Sequence, residues 1–314
     1  MYKNCWAFGL QGIIYIRENA LVSVSELYTR PAYIIPEYRD LSALRQVRES
    51  VTMEEILTCA KAAAFEAAAI ILGYCATKLD IMEKSSNNLV TKADLESEER
   101  IVESIKKTFP AHSFLAEENH SPPKDFGIPE HLWIIDPLDG TTNFAHGVPH
   151  FCVSIAYALR GDVKMGLVYD PMRKELFSAI KGRGAFLNDR KIEVSRCSAI
   201  DKSVITTGFF YDRGALMERT LASIHALFKR NITDIRRTGS AALDMCWVAS
   251  GRFDGYFEYR LFPWDFSAAM LIVREAGGVC IDRAGKELTA QSESVVASNA
   301  GISREFLKIV EWNN

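Results

Sequence analysis

The sequence lacks a strong excess of charge of either sign, since 37 Lys and Arg residues against 40 Asp and Glu residues leave a formal net charge of −3. Binding to nucleic acid or to an anionic membrane depends on a basic surface, so we expect neither partner. The chain also lacks internal repeats and low-complexity tracts. Its 314 residues, 48% hydrophobic and 25% charged, are typical of a globular protein with a sizeable core.

The sequence also lacks the cysteine and histidine spacings that are typical of metal ligands. Its seven cysteines are odd in number, widely spaced and contain no C-x-x-C pair. This pattern argues against a disulfide or zinc framework and favours buried thiols in a reducing cytoplasm. His146 and His150 lie close to the central motif described below, but we expect them to be loop or supporting residues rather than ligands.

The first 51 residues differ from the rest. A broken apolar run from Cys5 to Ile16 follows Lys3, as in a signal peptide, but Gln11 interrupts it and no small-residue cleavage site follows. The run is too short to cross a membrane. We predict that residues 1–51 are a poorly ordered extension. Organised structure is expected to begin at Thr52, which has capping-box spacing to an acid three residues later.

A strand that ends in polar residues is the central feature of the chain. The apolar run Leu132 to Ile135 has the length and β-branching of a buried strand, and it stops at Asp136. Asp136 and Asp139 flank a proline turn, so their carboxylates and the carbonyl of Leu138 can converge. Hard oxygen ligands of this kind suit Mg²⁺ better than Zn²⁺.

The residues that follow favour a phosphate site. Gly140 lets the backbone approach a ligand closely, and Thr141 and Thr142 can open a helix whose N–H groups bind phosphate. A metal beside a phosphate is typical of a metal-dependent phosphatase. Taken alone, however, Asp-Pro and Asp-Gly are also common in ordinary turns.

Periodicity outlines the other elements. We predict a long Ala-rich helix from about Met53 to Lys84 and a second amphipathic helix that opens at Asp94, which could be no more than its N-cap. Alternation with a period of two over residues 151–192 predicts an antiparallel meander. Strands and helices then alternate from Ser203 to the end.

The stretch Trp133 to Phe144 resembles the signature of the inositol monophosphatase family, W-I-x-D-P-x-D-G-T-x-N-F, and fills every specified position. Two more stretches resemble family motifs in the family's order. The paired acids that begin at Glu117 resemble the second motif, and Trp264-Asp265 with the run Glu275–Gly278 resembles the third. The resemblance covers about residues 53–312.

The resemblance implies a fold, an assembly and a metal content. The fold is a layered helix–sheet sandwich of the inositol monophosphatase and fructose-1,6-bisphosphatase type, in which an α+β half (residues 52–200) leads into an α/β half (residues 201–314) that completes the site. Family members are commonly homodimers, so we expect a homodimer. Two Mg²⁺ ions are expected, and the family allows a third, weaker ion near Glu117.

The resemblance also assigns roles by position. Glu117, Asp136 and the Leu138 carbonyl would hold one ion, and Asp136, Asp139 and Asp265 the second. Thr141, paired with Asp94, would orient the attacking water, with Glu117 also in the catalytic set. Substrate contacts would come from residues that bind the phosphate or the alcohol part: Asp139, Gly140, Thr141, Thr142, Gly239, Ser240, Ala241, Glu258 and Asp265.

The function that follows from the resemblance is Mg²⁺-dependent hydrolysis of myo-inositol monophosphate or a similar polyol or sugar phosphate. Fructose-1,6-bisphosphatase, 3′-phosphoadenosine nucleotidase and histidinol-phosphatase are alternatives within the superfamily. Thr142-Asn143-Phe144 favours the inositol branch, because the nucleotidase-like branch usually has lysine after D-G-T. A non-catalytic role with the transcription machinery is a further alternative, since some bacterial relatives bind it, but the intact ligands argue against a purely structural role.

Overall fold

The computed structural model describes residues 4–9, 12–17, 20–22, 51–75, 81–85, 88–119 and 128–311. Contacts divide the chain into two compact units, Met1–Ser50 and Val51–Asn314. In the first unit, β1 (Asn4–Gly9), β2 (Gly12–Arg17) and β3 (Ala20–Val22) form an antiparallel sheet. The other residues of the predicted extension up to Ser50 lie outside the described residues, so its poor order stays a prediction.

The second unit begins with helix α1 (Met53–Tyr74). Its capping box is as predicted, because Glu55 N–H donates to Thr52 Oγ1 at 3.2 Å and Thr52 N–H donates back to Glu55 Oε2 at 2.8 Å. By length and composition alone α1 could cross a membrane, but a core helix passes the same test. All of its buried residues except Ala68 lie in one core cluster with the neighbouring helix and sheet.

The predicted extension of this helix to Lys84 is wrong. The helix ends at Tyr74, and β4 (Ile81–Ser85) pairs with β5 (Asn88–Thr91) in an antiparallel hairpin. Hydrogen bonding between the two strands satisfies the backbone there. Helix preferences of about 0.5 kcal/mol per residue are too small to prevent this pairing.

Helix α2 (Lys92–Thr108) corrects the expectation for Asp94. The N-cap is Thr91, and Asp94 is the third residue inside the helix. Its Oδ2 accepts from Thr91 N–H at 2.8 Å and from Thr91 Oγ1 at 2.6 Å, while Thr91 Oγ1 accepts from Ala93 N–H at 3.1 Å. Asp94 therefore closes a capping box with Oδ2, while its Oδ1 accepts from Thr141 Oγ1 at 2.9 Å.

The seven-stranded sheet, called the first sheet from here on, contains the central motif. Its seven strands lie in the order β12-β11-β10-β9-β8-β7-β6, antiparallel except for the parallel pair β6–β7. The strands are β6 (Ser113–Ala116), β7 (His131–Asp139), β8 (Cys152–Leu159), β9 (Asp162–Asp170), β10 (Glu175–Ile180), β11 (Ala185–Leu187) and β12 (Arg190–Ile192). The predicted meander is confirmed by β8 to β12.

Strand β7 runs further than the sequence indicated. It continues through the motif to Asp139, with a break in its register against β8 between Asp136 and Asp139. The short helix α3 (Thr141–Ala145) follows directly. The break turns the two aspartates out of the regular pleat at the end of the strand.

The second sheet has five strands in the order β14-β13-β15-β17-β16. The first three are parallel, and β17 is antiparallel to both β15 and β16. The strands are β13 (Val204–Thr207), β14 (Asp234–Arg236), β15 (Gly255–Glu258), β16 (Val279–Ile281) and β17 (Val295–Ser298). The helices are α4 (Ala215–Lys229), α5 (Ala241–Ala249), α6 (Pro263–Glu275) and α7 (Ser303–Val310), after a 3₁₀ turn at Ile200–Lys202.

Three buried clusters stack these elements into layers. One lies between α1, α2 and the first sheet, and another lies between the second sheet and α4 and α7. The middle cluster contains residues of both sheets around α5 and α6, and α6 is buried without a break from Phe266 to Val273. The order helix–sheet–helix–sheet–helix confirms the predicted layered α/β sandwich.

An aromatic stack closes the edge of the first sheet. The His112 ring stacks on His131 at 4.4 Å and on Phe109 at 4.7 Å between centroids, and Trp133 Nε1 donates to His112 Nδ1 at 3.0 Å. Burial, followed by the charge of His131, lowers the pKa of His112 to about 4.

This low pKa predicts a loss of stability in acid. In the unfolded chain His112 takes up a proton near its ordinary pKa of about 6.5, whereas the folded state resists it down to about 4, so its contribution is complete above about pH 6.5 and falls below it. We expect His112→Gln, which keeps an acceptor for Trp133, to lose less melting temperature than wild type between about pH 7 and pH 5. His225→Gln, exposed on α4, is the control, and an equal loss in both variants would contradict the assignment.

Candidate active site

A cleft lies at the end of β7, with an empty volume of about 890 Å³ that includes its open mouth. Every predicted site residue except Asp94 lines it. The predicted residues that line it are Glu117, Asp136, Leu138, Asp139, Gly140, Thr141, Thr142, Gly239, Ser240, Ala241, Glu258 and Asp265. The fold therefore brings the three sequence motifs together, whereas their roles as ligands stay predictions.

The carboxylates in the cleft repel one another. Burial raises the pKa of Asp136 well above its usual range, and the charges of Glu117, Asp139 and Asp265 raise it further. The pKa of Asp265 is also raised well above normal, first by burial and then by Glu117. A group of acids of this kind, with Asp136 buried and the others partly buried, favours either a bound proton or a bound cation.

Each aspartate is oriented by hydrogen bonds to its own surroundings. Asp139 Oδ2 accepts from Ser240 Oγ at 2.6 Å and from Ala242 N–H at 2.7 Å. Asp265 accepts from Phe262 N–H at 2.7 Å, and Asp136 accepts from Leu138 N–H at 3.0 Å. With these orientations, no three His, Cys, Asp or Glu side chains of the described residues form a ready metal cage.

The donor set nevertheless fits a hard divalent cation. Carboxylates and the Leu138 carbonyl offer only oxygen, which suits Mg²⁺, and their mutual repulsion would be relieved by positive charge. An ion would compete with the N–H and O–H groups of Phe262, Ser240 and Ala242 for the oxygens of Asp139 and Asp265.

Thr141 and Asp94 meet as the sequence predicted. Thr141 Oγ1 lies 2.9 Å from Asp94 Oδ1 and 3.1 Å from the Leu138 carbonyl oxygen, although Asp94 is 47 residues away in the chain. Asp94 is 1% exposed and its other oxygen is fixed by Thr91. The threonine has one hydroxyl proton to donate, so its oxygen keeps lone pairs that can accept a hydrogen bond in the cleft.

The loop at Gly239 is tied to the central motif. Asn143 Nδ2 donates to the carbonyls of His150 at 2.7 Å and Thr238 at 2.8 Å. Gly239 has φ +100°, and a Cβ there would lie 2.9 Å from Asn143 Nδ2. The glycine is needed for this close approach. Ser240 donates its hydroxyl proton to Asp139, and its predicted contact with substrate stays a prediction.

Glu258 is held at the inner wall of the cleft. It is 8% exposed and accepts from Tyr256 Oη at 2.7 Å. Burial raises its pKa to about 7. A Cβ on Gly208 would lie only 1.9 Å from Glu258 Oε2, so Gly208 leaves the space that this carboxylate occupies.

Several cleft residues were not predicted from the sequence. Asp244 lines the cleft and accepts from Thr206 Oγ1 at 2.8 Å. His150, which was expected to be a loop or supporting residue, is buried with Nε2 3.4 Å from Asp244 Oδ1. An aromatic wall formed by Phe209, Phe210, Tyr211 and Phe262 also lines the cleft, together with Arg237 and Arg260. Of these residues, only Arg260 could have been placed near the cleft from the sequence, because it stands two positions after Glu258.

Comparisons with known proteins agree on one family. The model of the inositol monophosphatase family matches residues 52–311. The Nus factor SuhB of Pasteurella multocida is 45% identical over 229 residues, which are 73% of this chain and 84% of that protein.

Solved structures agree with this result. The extragenic suppressor protein suhB of Bartonella henselae superposes with a TM-score of 0.77 at 34% identity, covering 82% of this chain and 99% of that one. Inositol monophosphatase from Anabaena (Nostoc) superposes with a TM-score of 0.74 at 38% identity, covering 83% and 96%.

The raised carboxylate pKa values predict that alkali lowers the stability of the folded protein and that a bound metal raises it. Because the folded state keeps protons that the unfolded state loses near pH 4, stability falls as the pH rises from about 4 through the raised folded pKa values. Glu258, whose pKa is raised to about 7, titrates in the neutral range, so we expect the metal-free protein to melt lower at about pH 8 than at about pH 6, and Mg²⁺ to raise the melting temperature more at pH 8. At about one hundred times its Kd, one ion would contribute roughly 3 kcal/mol.

The control for this measurement is Asp136→Asn, which removes one charge from the group. Scanning calorimetry of this variant should show a smaller alkaline loss and a smaller gain from Mg²⁺. A gain from Mg²⁺ that is the same at both pH values in the wild type would show that these carboxylates are not the groups that bind it.

Proposed function

Because this chain belongs to the inositol monophosphatase family, we propose that it is a Mg²⁺-dependent phosphomonoesterase that hydrolyses myo-inositol monophosphate or a similar polyol or sugar phosphate. The observation that carries the proposal is the meeting of buried carboxylates with the Thr141–Asp94 pair in one cleft. Members of this family act on phosphorylated substrates, and in this cleft the start of α3 would bind the phosphate while the neighbouring oxygen ligands would bind the metal.

The metal would be held by Glu117, Asp136, Asp139, Asp265 and the Leu138 carbonyl. Bound divalent ions supply a more acidic water and neutralise charge on the transferring phosphoryl group. The N–H groups of residues 140–142 would bind the phosphate oxygens at the start of α3. The protein thereby fixes the phosphorus close to the carboxylates.

Thr141 would orient the attacking water. Its hydroxyl proton is donated to Asp94, so the oxygen faces the water as an acceptor and sets its direction towards phosphorus. Asp94 is fixed by Thr91 and by the first turn of α2, which keeps the pair in place without substrate. This arrangement accounts for a threonine at position 141, since alanine or valine has no hydroxyl.

The alcohol part of the substrate would contact Glu258. Its carboxylate can accept hydrogen bonds from ring hydroxyls. A phosphate ester without hydroxyls cannot make these bonds. The position of Glu258 depends on Gly208 and Tyr256, both outside the sequence motifs. A polyol phosphate therefore suits this wall better than a phosphate ester without hydroxyls.

A second candidate is a role with the transcription machinery. Its support is the name Nus factor, which several relatives carry at 40% identity or more. This role needs a protein or nucleic-acid partner despite the nearly balanced charge of the chain, and it does not require an inactive cleft. Binding of the Asp136→Asn variant to purified RNA polymerase would separate it from catalysis.

The proposed reaction predicts a strict dependence on Asp136. We expect phosphate release from inositol 1-phosphate with Mg²⁺ and none above background with EDTA. Asp136→Asn should lose well over tenfold in kcat, more than about 1.4 kcal/mol, because an amide has no charge to hold a cation. Retention of more than about a tenth of the wild-type rate would rule out the metal assignment.

The proposed substrate class predicts how selectivity responds at Glu258. We expect wild type to prefer inositol 1-phosphate over adenosine 3′,5′-bisphosphate and histidinol phosphate in kcat/KM. Glu258→Gln should narrow this preference and leave hydrolysis of a small aryl phosphate unchanged. Gly208→Ala should do the same, because it displaces Glu258. If the nucleotide or histidinol phosphate comes out ahead in wild type, the inositol assignment fails while the phosphatase assignment stands.

A further inference from the structure

Glu98 on α2 is a fully buried carboxylate that contacts the chain next to Glu117. Glu98 is 0% exposed and lies one helical turn after Asp94. Its Oε2 accepts from Glu118 N–H at 2.6 Å, and its Oε1 accepts from Asn119 N–H at 2.7 Å. These donors are 20 and 21 residues away in the chain, so the bonds join α2 to the end of β6.

The two bonds fix the backbone on one side of Glu117, and the sheet fixes it on the other. Glu117 N–H donates to the carbonyl of Ile135 at 3.3 Å, which continues the β6–β7 ladder to the residue before Asp136. Glu118 and Asn119 are then held by Glu98. Because each oxygen of Glu98 accepts from a different backbone N–H, the turn after Glu117 has one preferred path.

Asp94 and Glu98 act from one face of the same helix, since residues four apart lie above one another. Asp94 accepts from Thr141, and Glu98 accepts from the turn that follows Glu117. Helix α2 therefore aligns two parts of the cleft that come from different segments of the chain.

We propose that Glu98 is a positioning residue that orients Glu117 for cation binding without touching the ion or the substrate. The inference rests on the proposed function, in which Glu117 is a metal ligand. Groups that orient metal ligands commonly change metal affinity by about 10- to 100-fold when they are removed. A residue that only stabilised the turn would change the melting temperature and leave the affinity for metal unchanged.

The test is Glu98→Gln in the full chain. Glutamine keeps the shape but offers one acceptor oxygen, so one of the two backbone donors loses its partner. Calorimetric titration with Mg²⁺, without substrate and well below the melting temperature, should show Kd raised about tenfold. At saturating Mg²⁺, kcat for inositol 1-phosphate should return to within about twofold of wild type, because the catalytic groups are unchanged.

Two variants complete the design. Glu99→Gln, the exposed neighbour on α2, is the matched control and should leave Kd unchanged. Glu98→Asp keeps two acceptor oxygens on a side chain one methylene shorter, so both bonds are lengthened but neither donor faces an amide, and Kd should rise by less than in Glu98→Gln. If Glu98→Gln does not fold, the aspartate variant decides the question alone.

A Kd within about twofold of wild type in the Glu98 variants, with only a lower melting temperature, would overturn the inference. A loss of kcat that persists at saturating Mg²⁺ would overturn it as well. Failure of the proposed function has a different signature, because wild type itself would then bind no Mg²⁺ or release no phosphate.

Discussion

Mutual repulsion among buried carboxylates is the constraint on which the arrangement of this protein depends. Asp136, Asp139, Asp265 and Glu117 come from three segments of the chain and line the same cleft, where burial and the charges of the other acids raise the pKa values of Asp136 and Asp265. Such acids can be held together only where rigid elements and hydrogen-bond donors surround them. The fold supplies both, since strand ends and helix starts converge at this point.

Three of these acids are oriented by the start of a helix or by a helix face. The first turn of α5 donates to Asp139, the start of α6 donates to Asp265, and a carboxylate on α2 fixes the turn beside Glu117. The N-terminal N–H groups of a helix have no partners within the helix, so a carboxylate there satisfies them and is stabilised by the helix dipole. The same bonds that complete the secondary structure therefore position the acids.

The layers explain why the site is formed between the two sheets. Helix α6 is buried all round and packs in the same cluster as residues of both sheets, while its first turn presents Asp265 to the end of β7. A shift of α6 would move Asp265 relative to Asp136 and would also disturb the middle core. Core packing and the geometry of the cleft are thus tied to the same helix.

The sequence by itself determined the motifs, the oxygen character of the ligands and most strand and helix positions, because these depend on neighbouring residues and short periods. It placed the meander of β8 to β12 correctly, but it extended α1 to Lys84 and made Asp94 an N-cap, since helix and hairpin signals are weak at element ends. Only the tertiary structure decided that Asp139 accepts from α5, that Glu258 lies over Gly208, and that Glu98 fixes the turn after Glu117. These contacts join residues 20 to 103 positions apart, where the pattern along the chain carries no information about which side chains meet.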